Sequence, residues 1–316
     1  MLALYIILGV LAFIVIFTVT VSLICYFMAF YSPKRKECEP EEYKFDLEEL
    51  YAPYKPQMIE WMKWGRGLNP QALEIKSHDG LKLVGKYYEI KKDAPIEILF
   101  HGYRGCGERD LSDGIERCFR IGRNAIIVDQ RASGMSEGHT ITFGIKEHLD
   151  AIKWAEFVSE KFGKDTKIIL TGVSMGAATV LMASGKKLPE NVKCILADCP
   201  YSTPREIISK TIVEMKLPPK IMYPFVKLGA RLFGHFNLDE YSPLEAVKES
   251  KVPTIFIHGT NDDFVPYQMS EKMFAECINE IKALIPIEGA GHGLAYPVNN
   301  DLYLQSLIDF EKEWDK

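Results

Sequence analysis

Apolar and polar positions divide the chain into two unequal parts. Residues 2–30 are almost continuously apolar, and no charged side chain occurs before Lys34. A helix needs roughly 20 apolar residues to cross the hydrocarbon core of a bilayer, so this run is long enough to span it. A cleaved signal peptide would have a basic start, a shorter apolar stretch and a small-residue cleavage site, and none of these is evident. We therefore predict one transmembrane anchor over residues 1–31.

The residues that follow the anchor indicate its orientation. Lys34, Arg35 and Lys36 come directly after the apolar run, whereas only the α-amino group precedes it. The positive-inside rule then predicts a single-pass membrane protein whose C-terminal body lies on the cytoplasmic face. Residues 32–70 are charged and contain Pro, Tyr and Trp. They indicate a juxtamembrane linker that runs into a packing helix, although the Tyr and Trp side chains would also suit the lipid interface.

From residue 71 onward, strand-like and helix-like periods alternate. Amphipathic stretches of helical length, such as 145–162 and 268–278, lie between most of the later strand-like runs. Strands that alternate with helices form a mostly parallel sheet covered by helices on both faces. We therefore predict one α/β domain over 71–316. Its eight predicted strands are 73–76, 81–90, 96–100, 125–128, 167–170, 193–197, 254–257 and 283–287.

One interval breaks this alternation. About 55 residues separate the predicted strand at 193–197 from the one at 254–257, far more than short loops and one helix require. The centre of the interval, 207–236, mixes Ile, Met, Tyr, Phe, Val and Leu with prolines. We interpret residues 202–243 as a small helical lid inserted over the sheet.

Composition narrows the function classes. The apolar fraction of 47% is that of an ordinary globular protein, and a net charge of -5 offers no basic surface for nucleic acid. The seven cysteines are scattered, with no CxxC pair or His/Cys cluster that indicates zinc and no regular disulfide spacing. They favour buried free thiols in a reducing compartment.

The segment 167–182 carries the first chemical signal. An apolar strand runs into Gly172-Val173-Ser174-Met175-Gly176, and a helix of small residues follows. Two glycines permit a sharp strand-to-helix turn that exposes the serine hydroxyl, and the helix N-terminus behind it offers N–H groups to negative charge. Ser174 is therefore the candidate nucleophile.

A serine nucleophile needs a histidine base and an acid that orients the base, and after such a turn they follow in the order acid, histidine. His292 lies between Gly291 and Gly293 on a predicted loop, which favours the base over a packed core histidine. Asp262 is the favoured acid, but its neighbour Asp263 and Asp198, at another strand end, stay open as alternatives. His101 and His258 end predicted strands and are interpreted as groups that stabilise turns.

The oxyanion of an acyl-transfer intermediate needs two backbone donors. The N–H of Met175 follows the nucleophile directly, and the loop after the strand 96–100 would supply the second, which we assign to Tyr103. Arg104 and Arg109 are candidates for an anionic substrate group, or for structural ion pairs with Asp110 or Glu108.

Taken together, these motifs resemble the α/β-hydrolase superfamily, specifically its serine-aminopeptidase-like branch of membrane-attached bacterial hydrolases. The matching segments are 101–104, 129–138, 172–176, 258–266 and 289–293. The resemblance implies the α/β-hydrolase fold and hydrolysis of an ester, thioester or amide, with no cofactor and no metal. It does not fix the substrate, because this fold hosts many reactions.

The leading expectation is a membrane-tethered serine esterase acting on small-molecule or lipid-like acyl substrates, since an anchor and an apolar lid suit such substrates. One rival is a serine peptidase or amidase with the same triad. A second rival is a catalytically silent hydrolase fold kept as a membrane scaffold, which is less favoured because all three triad candidates are present.

Overall fold

The computed structural model describes residues 1–33, 38–44 and 48–315. Lys34, Arg35 and Lys36, which carry the orientation prediction, lie outside the described residues. Within these described ranges, one helix, α1 (Leu2–Ala29), is long and apolar enough to cross a membrane. A 3₁₀ turn (Pro40–Glu42) and two helices, α2 (Glu48–Tyr51) and α3 (Lys55–Gly67), lead from it to the sheet.

Eight strands form one sheet in the spatial order β1-β2-β4-β3-β5-β6-β7-β8. The pairs β1/β2 and β2/β4 are antiparallel, and every other pair is parallel. The predicted eight-stranded, mostly parallel sheet is confirmed. The strands are β1 (Gln71–Lys76), β2 (Lys82–Tyr88), β3 (Ile96–Phe100), β4 (Asn124–Val128), β5 (Ile168–Val173), β6 (Val192–Asp198), β7 (Thr254–Gly259) and β8 (Lys282–Ile287).

Helices cover both faces of the sheet because the central strands are apolar on both sides. Ile98 and Phe100 of β3 pack in one cluster with Trp154, while Leu99 between them packs on the other face with Ile115. The remaining helices are α4 (Gly107–Arg120), α5 (Glu147–Phe162), α6 (Met175–Ser184), α7 (Pro204–Glu214), α8 (Pro219–Phe233), α9 (Pro243–Val247), α10 (Gln268–Glu276), α11 (Ala295–Val298) and α12 (Asn300–Trp314).

Three of these helices, α7 to α9, interrupt the alternation between β6 and β7, and we call them the insertion. Thr203 caps the first of them, because its side chain accepts a hydrogen bond from the N–H of Glu206 at 3.0 Å and Pro204 follows at the first helical position. Apolar side chains of α7 and α8 join a cluster with Met175 and Met182 of α6. The insertion therefore lies over the turn that carries Ser174.

The last turns of α1 pack against the body of the protein. Phe30 is fully buried between Phe143 and Phe236, with ring centroids 5.8 and 5.2 Å away. Its carbonyl accepts a hydrogen bond from the N–H of Ile141 at 2.8 Å, and Tyr31 forms a β-bridge with Thr140. The boundary predicted at residue 31 for the anchor thus lies within a stretch of chain that is packed on the α/β domain.

The helix α3 also packs on the body. Met62 is fully buried, and the rings of Trp61 and Trp64 contact Tyr296 and Phe119 with centroids 6.1 and 5.6 Å apart. These two tryptophans therefore contribute to protein packing, which is one of the two roles that the sequence left open.

Candidate active site

Ser174 stands on a strained turn between β5 and α6. Its φ of 56° and ψ of -115° lie in a region that side chains rarely occupy. The two glycines explain why the turn closes, because a Cβ on Gly172 would collide with the backbone of Gly176, and one on Gly176 would collide with the carbonyl of Phe100. The chain therefore needs glycine on both sides of Ser174 to bring the hydroxyl to the end of the sheet.

His292 reaches Ser174 from the loop that follows β8. Its Nε2 lies 2.9 Å from Ser174 Oγ, and its Nδ1 lies 2.7 Å from Oδ2 of Asp262. Because a carboxylate only accepts, we assign the proton to Nδ1, which leaves Nε2 free to accept the serine proton. Tyr51 of α2 donates a hydrogen bond to the carbonyl of His292 at 3.0 Å and so holds the loop in place.

Asp262 is buried, and both oxygens of its carboxylate have hydrogen-bond partners. Oδ1 accepts hydrogen bonds from the N–H groups of Phe264 and Val265 at 2.9 and 2.7 Å. Burial pushes the pKa of Asp262 upward, but its hydrogen bonds with His258 and His292 outweigh this and hold the pKa well below its ordinary value. The group is therefore ionised at neutral pH and suited to orient an imidazole.

The two alternative acids lie elsewhere. Asp263 is exposed to solvent, although it is the next residue along the chain. Asp198 is buried, but its Oδ2 accepts a hydrogen bond from the hydroxyl of Tyr303 at 3.0 Å rather than from an imidazole. Of the three predicted candidates, the structure brings Asp262 to His292.

His258 is a partner of the acid that the sequence argument missed. Its Nε2 lies 2.9 Å from the carbonyl of Val265 and 3.2 Å from Oδ2 of Asp262, while its Nδ1 lies 2.7 Å from Ser270 Oγ. Since the Val265 carbonyl only accepts, Nε2 carries the proton. The i,i+4 spacing between His258 and Asp262 was the sequence signal for this contact. His258 therefore holds the Asp262 side chain in position as well as the turn.

The predicted oxyanion segments both lie beside Ser174. Met175 begins α6, and a Cβ added to Gly102 would lie 3.6 Å from Cβ of Ser174, so the loop after β3 approaches the serine closely. His101 braces this loop, with Nδ1 2.7 Å from the carbonyl of Gly102 and Nε2 accepting the N–H of Gln130 at 3.0 Å. Burial lowers the pKa of His101, which therefore stays neutral.

The same loop is attached to the C-terminal end of α1. The hydroxyl of Tyr103 donates to the carbonyl of Ala29 at 2.8 Å, and Arg104 Nη2 donates to the carbonyl of Met28 at 2.7 Å. Terminal carbonyls of a helix lack partners within the helix, so these side chains satisfy them. Arg104 thus binds a carbonyl of α1, whereas Arg109 forms the ion pair predicted with Asp110 at 2.5 Å.

A cavity of about 440 Å³ opens over Ser174 and His292. Its walls are mostly apolar and come from α1, from the loop after β3 and from the insertion. The residues lining it are Cys25, Met28, Ala29, Tyr51, Met58, Gly102, Tyr103, Arg104, Arg109, Asp110, Phe143, Val173, Ser174, Met175, Tyr201, Ile207, Ile208, Thr211, Ile212, Met215, Leu217, Met222, Val226, Phe264, His292 and Gly293.

Among the residues that the structure describes, two groups of side chains have the composition of metal sites, and neither suits a cation. Cys199 lies beside Asp262 and His292, but burial raises the pKa of its thiol well above the ordinary value, and a metal ligand must be a thiolate. The second group surrounds the guanidinium of Arg131, which bonds Asp79 and Asp150 at 3.0 and 2.6 Å and already supplies the positive charge.

Comparison with known proteins places the chain in a family. The sequence profile of the prolyl oligopeptidase family matches residues 142–316, just over half of the chain, a region that includes Ser174, Asp262 and His292. The chain belongs to the prolyl oligopeptidase family. This match supports a hydrolase, and the predicted relationship to the α/β-hydrolases is confirmed.

Individual relatives agree with this family. The uncharacterized protein YqkD of Bacillus subtilis is 29% identical over 191 residues, a match that spans 60% of this chain and 62% of YqkD. The thiohydrolase aneE of Aspergillus aculeatus is 26% identical over 202 residues, or 60% of each chain. The solved structure of the Pyrococcus furiosus esterase Pf2001 superposes with a TM-score of 0.64, covering 79% of this chain and 93% of the esterase at 24% identity. This last similarity shows the fold alone.

Proposed function

We propose that this chain is a membrane-tethered serine hydrolase that cleaves carboxylic esters and thioesters of acyl substrates through an acyl-enzyme intermediate. The observation that carries the proposal is the hydrogen-bonded chain from Asp262 through His292 to Ser174 at the base of an apolar cavity. A serine hydroxyl that lines the cavity, an imidazole nitrogen placed to accept its proton and an ionised orienting acid are the parts that nucleophilic acyl transfer needs.

The proposed reaction follows from these parts. Ser174 Oγ attacks the acyl carbonyl carbon and gives its proton to His292 Nε2, and the N–H groups of Met175 and Tyr103 stabilise the oxyanion that forms. His292 then protonates the leaving alcohol or thiol, which leaves an acyl group on Ser174. A water molecule activated by His292 releases the acid and restores the serine. Protein groups supply the nucleophile, the base and the oxyanion donors, so the proposed reaction requires no cofactor.

The substrate class is argued from the cavity and the comparisons. Ile207, Ile208 and Ile212 of α7 face Ser174 across a cavity large enough for a medium-sized acyl group. Pf2001 is named an esterase and aneE a thiohydrolase, and these names support ester and thioester substrates for this chain. We further propose that the insertion acts as a lid over this acyl site.

The membrane tether is proposed from α1. Its outer part, from Leu2 to about Phe17, is apolar and lies exposed beyond the body. The basic residues Lys34, Arg35 and Lys36 support an orientation with the hydrolase domain on the cytoplasmic face.

A serine peptidase is the second candidate, because the matching family profile is that of prolyl oligopeptidases. Recognition of a substrate amino terminus would need an available acidic group, whereas Asp110 in the cavity wall is paired with Arg109. We therefore favour the ester.

A panel of substrates tests the proposal. Purified full-length protein in detergent is assayed with p-nitrophenyl esters of increasing chain length and with aminoacyl p-nitroanilides, and Ser174→Ala serves as the control. We expect ester cleavage that depends on Ser174 and improves from acetyl to medium-chain substrates. Faster cleavage of the anilides would establish the peptidase instead. Inactivity on every substrate would favour the silent scaffold.

A further inference from the structure

The turn between α7 and α8 exposes an unusual amount of apolar surface. We call residues 213–221 the insertion tip. Val213 and Ile221 are 57% and 60% exposed, and Met215 and Leu217 between them are exposed as well. Soluble proteins seldom cluster large apolar side chains on the surface unless the cluster is covered by a partner or a membrane.

The packing of α8 on α1 fixes the direction in which this tip points. Gly229 of α8 approaches the backbone of Ser22 so closely that a Cβ would collide with its carbonyl. One turn further along both helices, the ring of Phe233 lies 5.9 Å from that of Tyr26, and beyond the helix ends Phe236 lies 5.2 Å from Phe30. Residue numbers rise together on both helices, so α8 runs parallel to α1. The start of α8 therefore points toward the outer, N-terminal half of α1.

The depth of the tip follows from helix geometry. If α1 spans the hydrocarbon core from Leu2, the core extends about 20 residues and ends near Ser22, where the helix becomes buried in protein. Ile221 precedes Gly229 by about two turns, and at about 1.5 Å per residue it lies up to about 12 Å beyond the level of Ser22. Lys216 and Lys220 are exposed on the tip, and their long side chains can extend to the headgroups.

The mouth of the cavity lies between the insertion tip and the last turns of α1. Met28, Met215 and Leu217 line the cavity and are also exposed, so they form an apolar rim between α1 and the insertion tip. Cys25 and Ala29 of α1 continue this apolar wall inward, toward the cavity floor formed by Ser174 and His292.

We propose that the insertion tip is inserted into the bilayer beside α1, and that the cavity receives acyl esters directly from the lipid phase through the rim of Met28, Met215 and Leu217. This inference rests on the proposed function for the reaction and on α1 as the membrane anchor. It adds the substrate source, a membrane-dissolved acyl ester, and a second membrane contact besides α1.

A lysine variant of the tip tests the proposal in full-length protein reconstituted in phosphatidylcholine vesicles. Val213 and Ile221 do not line the cavity, so the double variant Val213→Lys with Ile221→Lys leaves the acyl site intact. Ile308→Lys is the control, because Ile308 is an apolar side chain that is 40% exposed on α12, which packs on β8. We expect the tip variant to cleave a long-chain ester embedded in the vesicles about tenfold more slowly, because a lysine resists burial in hydrocarbon. Cleavage of water-soluble p-nitrophenyl acetate should not change in any variant.

A second measurement reports insertion without any catalysis. Ile221→Trp and Ile308→Trp are compared in vesicles whose lipid acyl chains carry bromine, which quenches nearby indoles. We expect the fluorescence added at position 221 to be quenched and that added at 308 to persist.

The outcomes separate this inference from the proposed function. Equal rates for the tip variant and Ile308→Lys on the embedded ester, or an unquenched indole at 221, would overturn the membrane insertion of the tip and leave the hydrolase proposal standing. If the wild-type protein cleaves no ester, the proposed function fails, and quenching at 221 alone still decides whether the tip is inserted.

Discussion

The final turns of α1 offer the sharpest test of how this helix and the α/β domain are connected. Sequence alone would treat residues 1–33 as a removable anchor, since no candidate catalytic or oxyanion residue lies there. In the structure, Ser22 and Phe30 are fully buried, and Tyr26 donates or accepts a hydrogen bond with Thr140 at 2.7 Å. We expect deletion of residues 2–18 to leave a folded, active domain and deletion of residues 2–33 to destabilise it severely.

The magnitude can be worked from one side chain. Phe30→Ala removes a fully buried ring that contacts Phe143 and Phe236, and such truncations cost about 3–5 kcal/mol. For a domain of this size that corresponds to a fall in Tm of roughly 5–8 °C. Phe13→Ala is the matched control on the same helix, because Phe13 is 68% exposed outside the body and its removal should leave the Tm of the domain unchanged.

The assay combines thermal unfolding in detergent with hydrolysis of a short, water-soluble ester. Since the carbonyls of Met28 and Ala29 accept hydrogen bonds from Arg104 and Tyr103, we expect Phe30→Ala also to lower kcat by disturbing the loop beside Ser174. A protein lacking residues 2–33 that keeps the Tm and kcat of the full chain would refute this reasoning, as would equal effects of Phe30→Ala and Phe13→Ala.

Two further predictions concern buried acids. Asp262→Asn should lower kcat by about 10⁴-fold, because the amide cannot hold His292 in the tautomer that accepts the serine proton. The control Asp263→Asn changes an exposed side chain and should alter kcat little. A larger loss of kcat in Asp263→Asn than in Asp262→Asn would reassign the acid. Burial raises the pKa of Asp198 to about 6, so the folded state binds more protons than the unfolded state between roughly pH 4 and pH 6, and stability falls as the pH rises through that window. Asp198→Asn removes this titration, and the Tm of the variant minus that of the wild type should therefore increase from pH 4 to pH 7; a constant difference would contradict the assignment.

The sheet and the serine turn could be predicted because their signals are local. Period-two and apolar runs mark the strands. Gly172 is required by its approach to Gly176 within one strand-turn-helix unit, and the Gly-x-Ser-x-Gly spacing also reveals Gly176, which lies against the carbonyl of Phe100 in neighbouring β3. The candidate acid was harder to predict from sequence, because Asp262 and Asp263 are adjacent and differ in which side chain turns inward. That direction is set by the hydrogen bonds from Phe264 and Val265, which no spacing in the sequence specifies.

The role of α1 could not be predicted for a different reason. The helix is apolar all round, so no periodicity separates the side that packs on protein from the side available to lipid. Its contacts with Gly229 and Arg104 join residues far apart in the chain. Sequence therefore indicates a membrane span, but not that the last turns of α1 form a wall of the cavity over Ser174.

The central claim, that Ser174 is an activated nucleophile, is tested most directly by labelling with a fluorophosphonate probe and locating the adduct by mass spectrometry. We expect a single adduct on the peptide that contains Ser174, no labelling of Ser174→Ala protein with an unchanged Tm, and a loss of kcat on the order of 10⁶ in that variant. Labelling at a different residue, or turnover by folded Ser174→Ala protein equal to that of the wild type, would contradict the account.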